Sequence, residues 1–285
     1  MRIDIDRLTK RYRGGVTALD GLSLEVPTGM FGLLGANGAG KTTLMRILAG
    51  LLRPTGGSVR VGEHDVTTRA GRAAVRRVLG YLPQELGVYP DLSAREFLDY
   101  VALLKGIDDR TERRRRVGEV LEIVALTGDA GRKLKGYSGG MRRRVGIAQA
   151  LLAGPRLLIV DEPTAGLDPE ERIRFRTLLA QLAGDRTVLL STHIVDDVAQ
   201  TCRELAVLAS GALVFRGTVE ELTSRASDRV WSVITAGPAP TGGTIVSAVP
   251  HAAGMRYRVV APVSPAAGAE TVEPNLEDGY LALVK

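Results

Sequence analysis

Residues 35–42 read Gly-Ala-Asn-Gly-Ala-Gly-Lys-Thr, and they stand between two segments of different period. Upstream, residues 30–34 are a short apolar run of strand type. Downstream, residues 42–52 set Leu44, Ile47, Leu48 and Leu51 on one face of a helix, with Gly50 and Pro54 bracketing its end. A strand that enters a glycine-rich turn and leaves as a helix limits what can be built around it. The glycines let backbone N–H groups turn inward, and the helix adds the positive end of its dipole. The ligand that suits such a turn is a polyphosphate. In this pattern Lys41 reaches the β- and γ-phosphates and Thr42 offers its hydroxyl to Mg²⁺. Alone, the motif specifies a nucleoside triphosphate and nothing finer.

Residues 157–162, Leu-Leu-Ile-Val-Asp-Glu, form a continuous apolar run that ends in two carboxylates, and residues 187–191 form a second such run. Runs of this kind suit strands buried on both faces of a parallel sheet. Asp161 at the strand end is placed to hold Mg²⁺, directly or through water. Glu162 beside it is placed to act as general base on an attacking water. The helix between the two runs is expected to begin near Pro169. Residues 2–6 and 22–26 alternate with period two, as half-buried strands do. Ser93 and Glu96 match a capping box, ahead of a helix with Phe97, Tyr100, Val101 and Leu104 on one face. A further helix is expected over 110–126, and its basic run Arg113–Arg116 reads as a solvated face. Alternating strands and helices with a helical insert give an α/β class.

Composition excludes several alternatives. With 285 residues, 25% of them charged and a net charge of +6, the chain is an ordinary globular protein with a mild basic excess. The single cysteine, Cys202, rules out an intrachain disulfide and reads as a small core side chain. The first twelve residues alternate apolar and charged and lack the apolar region of a secretory signal. No apolar run is long enough to cross a bilayer as a helix, so any transport path must come from another chain. After about residue 225, Pro238, Pro240, Gly242, Gly243, Pro262, Pro265 and Gly268 punctuate short alternating segments near 230–235, 244–249 and 255–260. With a short helix over 276–284, these read as a small appended α+β unit, mostly β.

Tyr137-Ser138-Gly139-Gly140-Met141, followed by Arg142–Arg144, opens another helix, and its amino terminus is again able to face an anion. The phosphate loop, then Ser138-Gly-Gly before a basic helix, then Asp161-Glu162-Pro-Thr, in that order, resembles the ABC ATPases. The resemblance covers roughly residues 1–220. It implies a P-loop NTPase fold of ABC-cassette type over 1–222, with a helical subdomain at about 85–153, and leaves the appended unit at 226–285 as an accessory domain. It also implies roles for individual residues. Tyr12 sits where the family stacks an aromatic on adenine. Gly35, Asn37, Gly38, Ala39, Gly40, Lys41, Thr42 and Thr43 surround the phosphates of ATP. Gln84, in Tyr-Leu-Pro-Gln, touches the Mg²⁺ and water site and senses a membrane subunit, so the metal set is Thr42, Gln84 and Asp161. Ser138, Gly139 and Gly140 approach the γ-phosphate bound by a second ATPase subunit. Asp168, in Ala-Gly-Leu-Asp, crosses to that subunit, and His193, in Ser-Thr-His, contacts the γ-phosphate. Glu162, His193 and Gln84 form the catalytic set. Tyr137 and Met141 depart from the commoner Leu and Gln of the family, and Gly166 from its alanine.

The resemblance therefore implies an enzyme that binds and hydrolyses ATP with Mg²⁺ and powers a separate multi-span membrane permease. A second ATPase subunit, identical or not, completes it at the cytoplasmic face of the membrane. Residues 272–280, Val-Glu-Pro-Asn-Leu-Glu-Asp-Gly-Tyr, resemble the tail of ATPases that serve ABC-2-type exporters. Residues 84–107, with the apolar–proline stretch at 87–90, are the expected membrane-facing contact. The alternative is a soluble ABC ATPase acting on nucleic acid or ribosomes. One cassette, no long coiled coil and no zinc motif count against it. The tail disfavours an importer. The serine–glycine signature and the His193 region disfavour a kinase or GTPase, and a guanine-recognition motif is absent.

Overall fold

In the computed structural model, which describes residues 1–184 and 186–285, the apolar runs become the centre of one sheet. Along the chain, β1 (Ile3–Arg11), β2 (Thr17–Val26) and β3 (Gly29–Leu34) lead into α1 (Lys41–Leu48). Next come β4 (Gly56–Val61), β5 (His64–Asp65), α2 (Arg69–Val78) and β6 (Leu79–Leu82). Three helices follow, α3 (Ala94–Leu104), α4 (Arg110–Ile123) and α5 (Gly139–Leu151). Then β7 (Leu157–Asp161), α6 (Pro169–Leu182), β8 (Thr187–Thr192), α7 (Val195–Thr201), β9 (Glu204–Ala209), β10 (Ala212–Thr218) and α8 (Val219–Ser224) complete the larger part. Last are β11 (Val230–Thr235), β12 (Thr244–His251), β13 (Gly254–Val260), β14 (Glu270–Thr271) and α9 (Leu276–Val284).

The central sheet runs β10-β9-β3-β8-β7-β6, parallel except where β10 returns beside β9. Its inner strands β3, β7 and β8 are mostly apolar and almost wholly buried because both faces are covered, and alternate residues feed two cores. Phe31, Leu33, Leu157, Ile159 and Leu189 point toward the smaller antiparallel sheet β2-β1-β4-β5 and α1. Leu34, Leu158, Val160, Val188 and Leu190 point the other way, into the core shared with Phe97, Leu121, Val145 and Phe175 of the helices. Among the described residues, no helix is long and apolar enough to cross a membrane.

Several boundaries differ from the sequence expectation. The first helix stops at Leu48 rather than running to 52: Gly50 takes φ +67 and Leu51 is 59% exposed. The N–H groups of Gly50 and Leu51 turn back onto the carbonyls of Ile47 and Arg46 at 2.9 Å each. α4 ends at Ile123, shortly before Ala125 at φ +52, rather than at 126. β1 and β2 run well past their alternating segments, because bulges in their pairing absorb the broken period. The capping box at Ser93 and Glu96 forms with both reciprocal hydrogen bonds.

The carboxy-terminal strands form a third sheet, β12-β13-β11-β14. Trp231 Nε1 donates to Ala261 O at 3.1 Å across it. α9 leaves this sheet and packs on α7 and α8, with Leu276 entering the main helical core. Gly279 permits the approach, since a Cβ there would collide with the carbonyl oxygen of Leu222. Asp278 on α9 is fully buried and takes three hydrogen bonds from Arg258 of β13, Nε to Oδ1 at 3.0 Å and to Oδ2 at 3.1 Å, and Nη2 to Oδ2 at 2.6 Å. The third sheet is thereby fastened to the helix that docks on the rest of the chain.

Candidate functional site

β3 ends at Leu34, and the next residues wrap the amino end of α1. Gly40 makes this turn possible: it sits at φ +103, and a Cβ there would lie 2.5 Å from the carbonyl oxygen of Ala18. Residues 36–43, with Ala18, Gln84 and Glu162, enclose a cleft of about 300 Å³. Lys41 is buried in it. Its Nζ donates to Gly35 O at 2.6 Å and Ala36 O at 3.3 Å, and lies 3.4 Å from Glu162 Oε1.

The two carboxylates at the end of β7 have opposite surroundings. Asp161 is fully buried, and neither of its oxygens has a hydrogen-bond partner. Desolvation raises its pKa; the nearby Ser191 and Thr42 hydroxyls pull the other way without reaching hydrogen-bond geometry. Glu162 turns out of the strand at φ +50, a left-handed conformation that a non-glycine residue keeps only when its surroundings hold it there. Its N–H donates to Ser191 O at 2.8 Å and its carbonyl accepts from Arg143 Nη2 at 3.1 Å. The carboxylate thus points between Lys41 and His193, whose Nδ1 lies 2.7 Å from Oε2. With an ionised carboxylate as acceptor, Nδ1 carries the hydrogen.

Tyr12 borders the far end of the turn, its hydroxyl 3.3 Å from Thr43 Oγ1. The ring is 40% exposed and carries the Lys10 ammonium over one face at 5.3 Å from its centroid. Other expected residues stand outside the cleft within one chain. Ser138 caps α5, accepting from Met141 N–H at 3.1 Å, and Ser138 and Gly139 are exposed. Gly140 is buried against the carboxylate of Glu171 on α6. Asp168 caps α6, accepting from Glu171 N–H at 2.8 Å.

Two residues near the cleft escaped the sequence reading. Arg143 lies in a run of three arginines with no periodic mark to single it out. In the fold Arg142 is exposed, Arg144 turns to the carbonyls of Val124 and Ala125, and only Arg143 reaches the Gln84 and Glu162 loops. Tyr280 on α9 comes near the phosphate loop: burial pushes its phenol up, and the nearby Ala36 backbone opposes that shift without reaching hydrogen-bond geometry. No local pattern connects residue 280 with residue 36.

Comparison with known proteins agrees with this geometry. The family model described as ABC transporter matches residues 19–165. The chain is 40% identical to the daunorubicin resistance ATP-binding protein of Streptomyces coeruleorubidus, over 80% of this chain and 72% of that one. It is 36% identical to the linearmycin resistance ATP-binding protein of Bacillus subtilis, over 78% and 71%. Among solved structures it resembles a dimeric ATP-binding cassette in a post-hydrolysis state bound to ADP and Pi. The TM-score is 0.69 at 27% identity, over 76% of this chain and 98% of that one. The chain belongs to the ABC transporter family, as one of its ATP-binding, ATP-hydrolysing members.

Proposed function

We propose that this chain hydrolyses ATP with Mg²⁺ in the cleft over residues 35–43 and that this drives a separate membrane permease, an ABC-2-type exporter. The observation that carries the reading is the convergence of Lys41, Glu162 and His193 within hydrogen-bonding or ion-pair distance above the phosphate loop, with Asp161 buried beside them.

In this mechanism the N–H groups from Gly35 through Thr43, among them Asn37, Gly38, Ala39 and Gly40, face the phosphates, and Tyr12 stacks on adenine. Lys41 leaves its loop carbonyls for the β- and γ-phosphate oxygens, a stronger charge-assisted contact. Glu162 accepts the proton of the water that attacks the γ-phosphorus. His193 orients that carboxylate and touches the γ-phosphate. The unpartnered buried oxygens of Asp161 fit a cation, with Thr42 and Gln84 as the other ligands, and Mg²⁺ there would neutralise charge on the phosphates. Phosphoryl transfer needs little else than such positioning and electrostatics.

Ser138, Gly139, Gly140 and Asp168 serve the ATP of a second subunit, met head to tail. Their position outside this chain's own cleft favours that arrangement. ATP then binds the closed pair better than the open pair, and hydrolysis lets the pair reopen. Residues 1–222 act as the ATPase domain, with the helical subdomain at about 85–153, and residues 226–285 as an accessory domain. The permease docks on 84–107, where Tyr89, Pro90, Asp91, Leu92 and Tyr100 line a hollow of about 390 Å³ with 54% of Tyr89 exposed. The chain thus works peripherally at the cytoplasmic face of the membrane. The drug-resistance names of the two relatives support the export direction. The nucleic-acid alternative loses weight, because Arg113, Arg115 and Arg116 are paired with Asp99, Glu112 and Glu119.

The test is co-purification of tagged Glu162→Gln protein from its native cells in mild detergent with ATP, followed by mass spectrometry. A multi-span membrane protein is expected in the eluate. Recovery of ribosomal or nucleic-acid-associated proteins alone would reject the transporter reading.

A further inference from the structure

Arg143 is held by three main-chain carbonyls from two loops. Nη1 donates to Gln84 O at 2.6 Å and to Pro83 O at 3.2 Å, and Nη2 donates to Glu162 O at 3.1 Å. The guanidinium is half-buried, and loss of solvent lowers its pKa, opposed by the charges of Asp161 and Glu162. It grows from α5, five residues after the Ser138 cap. One planar group therefore joins three elements: the serine–glycine helix, the loop after β6 and the loop after β7.

Two features give this clamp a consequence for the reaction. Glu162 keeps φ +50, and its main chain is pinned at both ends, N–H by Ser191 and carbonyl by Arg143. Releasing the carbonyl frees the peptide to relax toward the ordinary strand conformation, which swings the carboxylate away from Lys41 and His193. The fork geometry matters as well. A guanidinium presents parallel donors in a fixed plane and can bridge two loops at once, whereas a lysine ammonium on a flexible stem cannot hold the same spacing.

We propose that Arg143 is a positioning residue for hydrolysis: it sets the Glu162 carboxylate through its own main chain and locks it to the Gln84 loop and to α5. A displacement of the Gln84 loop by a docked permease, or of α5 by a second subunit, is then felt at Glu162 without passing through the nucleotide. The proposal rests on the reading of Glu162 as general base given above.

The experiment is a double-mutant cycle on the purified full chain, with single-turnover ATP hydrolysis and nucleotide affinity measured for wild type, Arg143→Gln, Glu162→Gln and the pair. Arg143→Gln is expected to lower the hydrolysis rate about 10²-fold, as a misplaced catalytic group does. Nucleotide affinity should stay within about threefold, because no ground-state phosphate contact is removed. In the Glu162→Gln background the same change should cost almost nothing more, since the group it positions is gone. Equal losses in both backgrounds, or a loss confined to affinity, would overturn the proposal. If Arg143→Gln does not fold, Arg143→Lys is read in the same cycle, with an intermediate, non-additive loss expected. Failure of the underlying reading is separable, because Glu162→Gln alone would then hydrolyse ATP at the wild-type rate.

Discussion

Glu162 and Asp161 are neighbours in sequence with opposite physical problems. Glu162 is held by Lys41, His193, Ser191 and Arg143, so its change to Gln keeps the packing and removes the negative charge together with the proposed base. Turnover should fall by about 10²–10⁴ while nucleotide binding persists, measured by single-turnover hydrolysis beside equilibrium binding. Asp161 is buried with no hydrogen bond to either oxygen. Burial raises its pKa, so its charged form opposes folding at neutral pH, and that penalty fades as pH falls through the raised value toward the ordinary carboxylate pKa of about 3.9. Asp161→Asn should therefore raise the melting temperature of the nucleotide-free chain at pH 7 while abolishing hydrolysis. The gain should shrink as the pH is lowered. A lower melting temperature for the variant at pH 7 would show that the carboxylate is paid for by contacts other than those described.

At the scale of elements, the informative contact is α9 on α8. Gly279→Ala places a methyl group against the Leu222 carbonyl, which belongs to a backbone and cannot rotate away. Overpacking of this kind costs about 1–3 kcal/mol, visible as a lower urea midpoint. Arg258→Gln leaves Asp278 fully buried without its cation and should cost on the order of 3 kcal/mol in the same measurement. Equal stability in either variant would mean that α9 is only loosely docked. The helices of the central part behave more predictably. Ser93, Asp109, Ser138 and Asp168 each cap a helix with a side-chain oxygen, and each is a residue type that local physics favours at that place.

For the whole molecule, the expected cycle is closure of two chains on ATP and opening after hydrolysis. Shifting such a pair from 1:99 to 99:1 takes about 5.5 kcal/mol of differential binding. Charge-assisted hydrogen bonds made only on closure, at about 1.5–3 kcal/mol each, are sufficient in small number. The Glu162→Gln chain should therefore dimerise on adding ATP, as read by light scattering. Addition of Gly139→Asp should keep it monomeric by setting a negative charge against the phosphates. On the membrane side, Tyr89→Asp puts a charge into the hollow beside Tyr100 and should uncouple ATP hydrolysis from transport with the basal rate retained. Unchanged coupling would move the docking surface elsewhere.

Wherever the chemistry is local, the amino-acid order alone determined the outcome. The phosphate loop, the two carboxylates after an apolar run, the helix caps and the fully buried strands all depend on residues within a few positions of one another, and period and residue type decide them. The same locality explains what was missed. β6 and β10 carry no period that separates them from their surroundings, whereas β9 has an apolar run over 205–209 like those of β7 and β8, and α1 ends early because Gly50 turns left-handed. Arg143 is indistinguishable from Arg142 and Arg144 until the loops after β6 and β7 come to meet it, and Tyr280 until α9 docks near the phosphate loop. The pairing of His193 with Glu162, thirty-one residues apart, and the placing of Ser138 outside its own cleft were likewise decided only by the tertiary structure. Such contacts join segments distant in sequence, whose approach is set by packing across two cores and by no pattern within either segment.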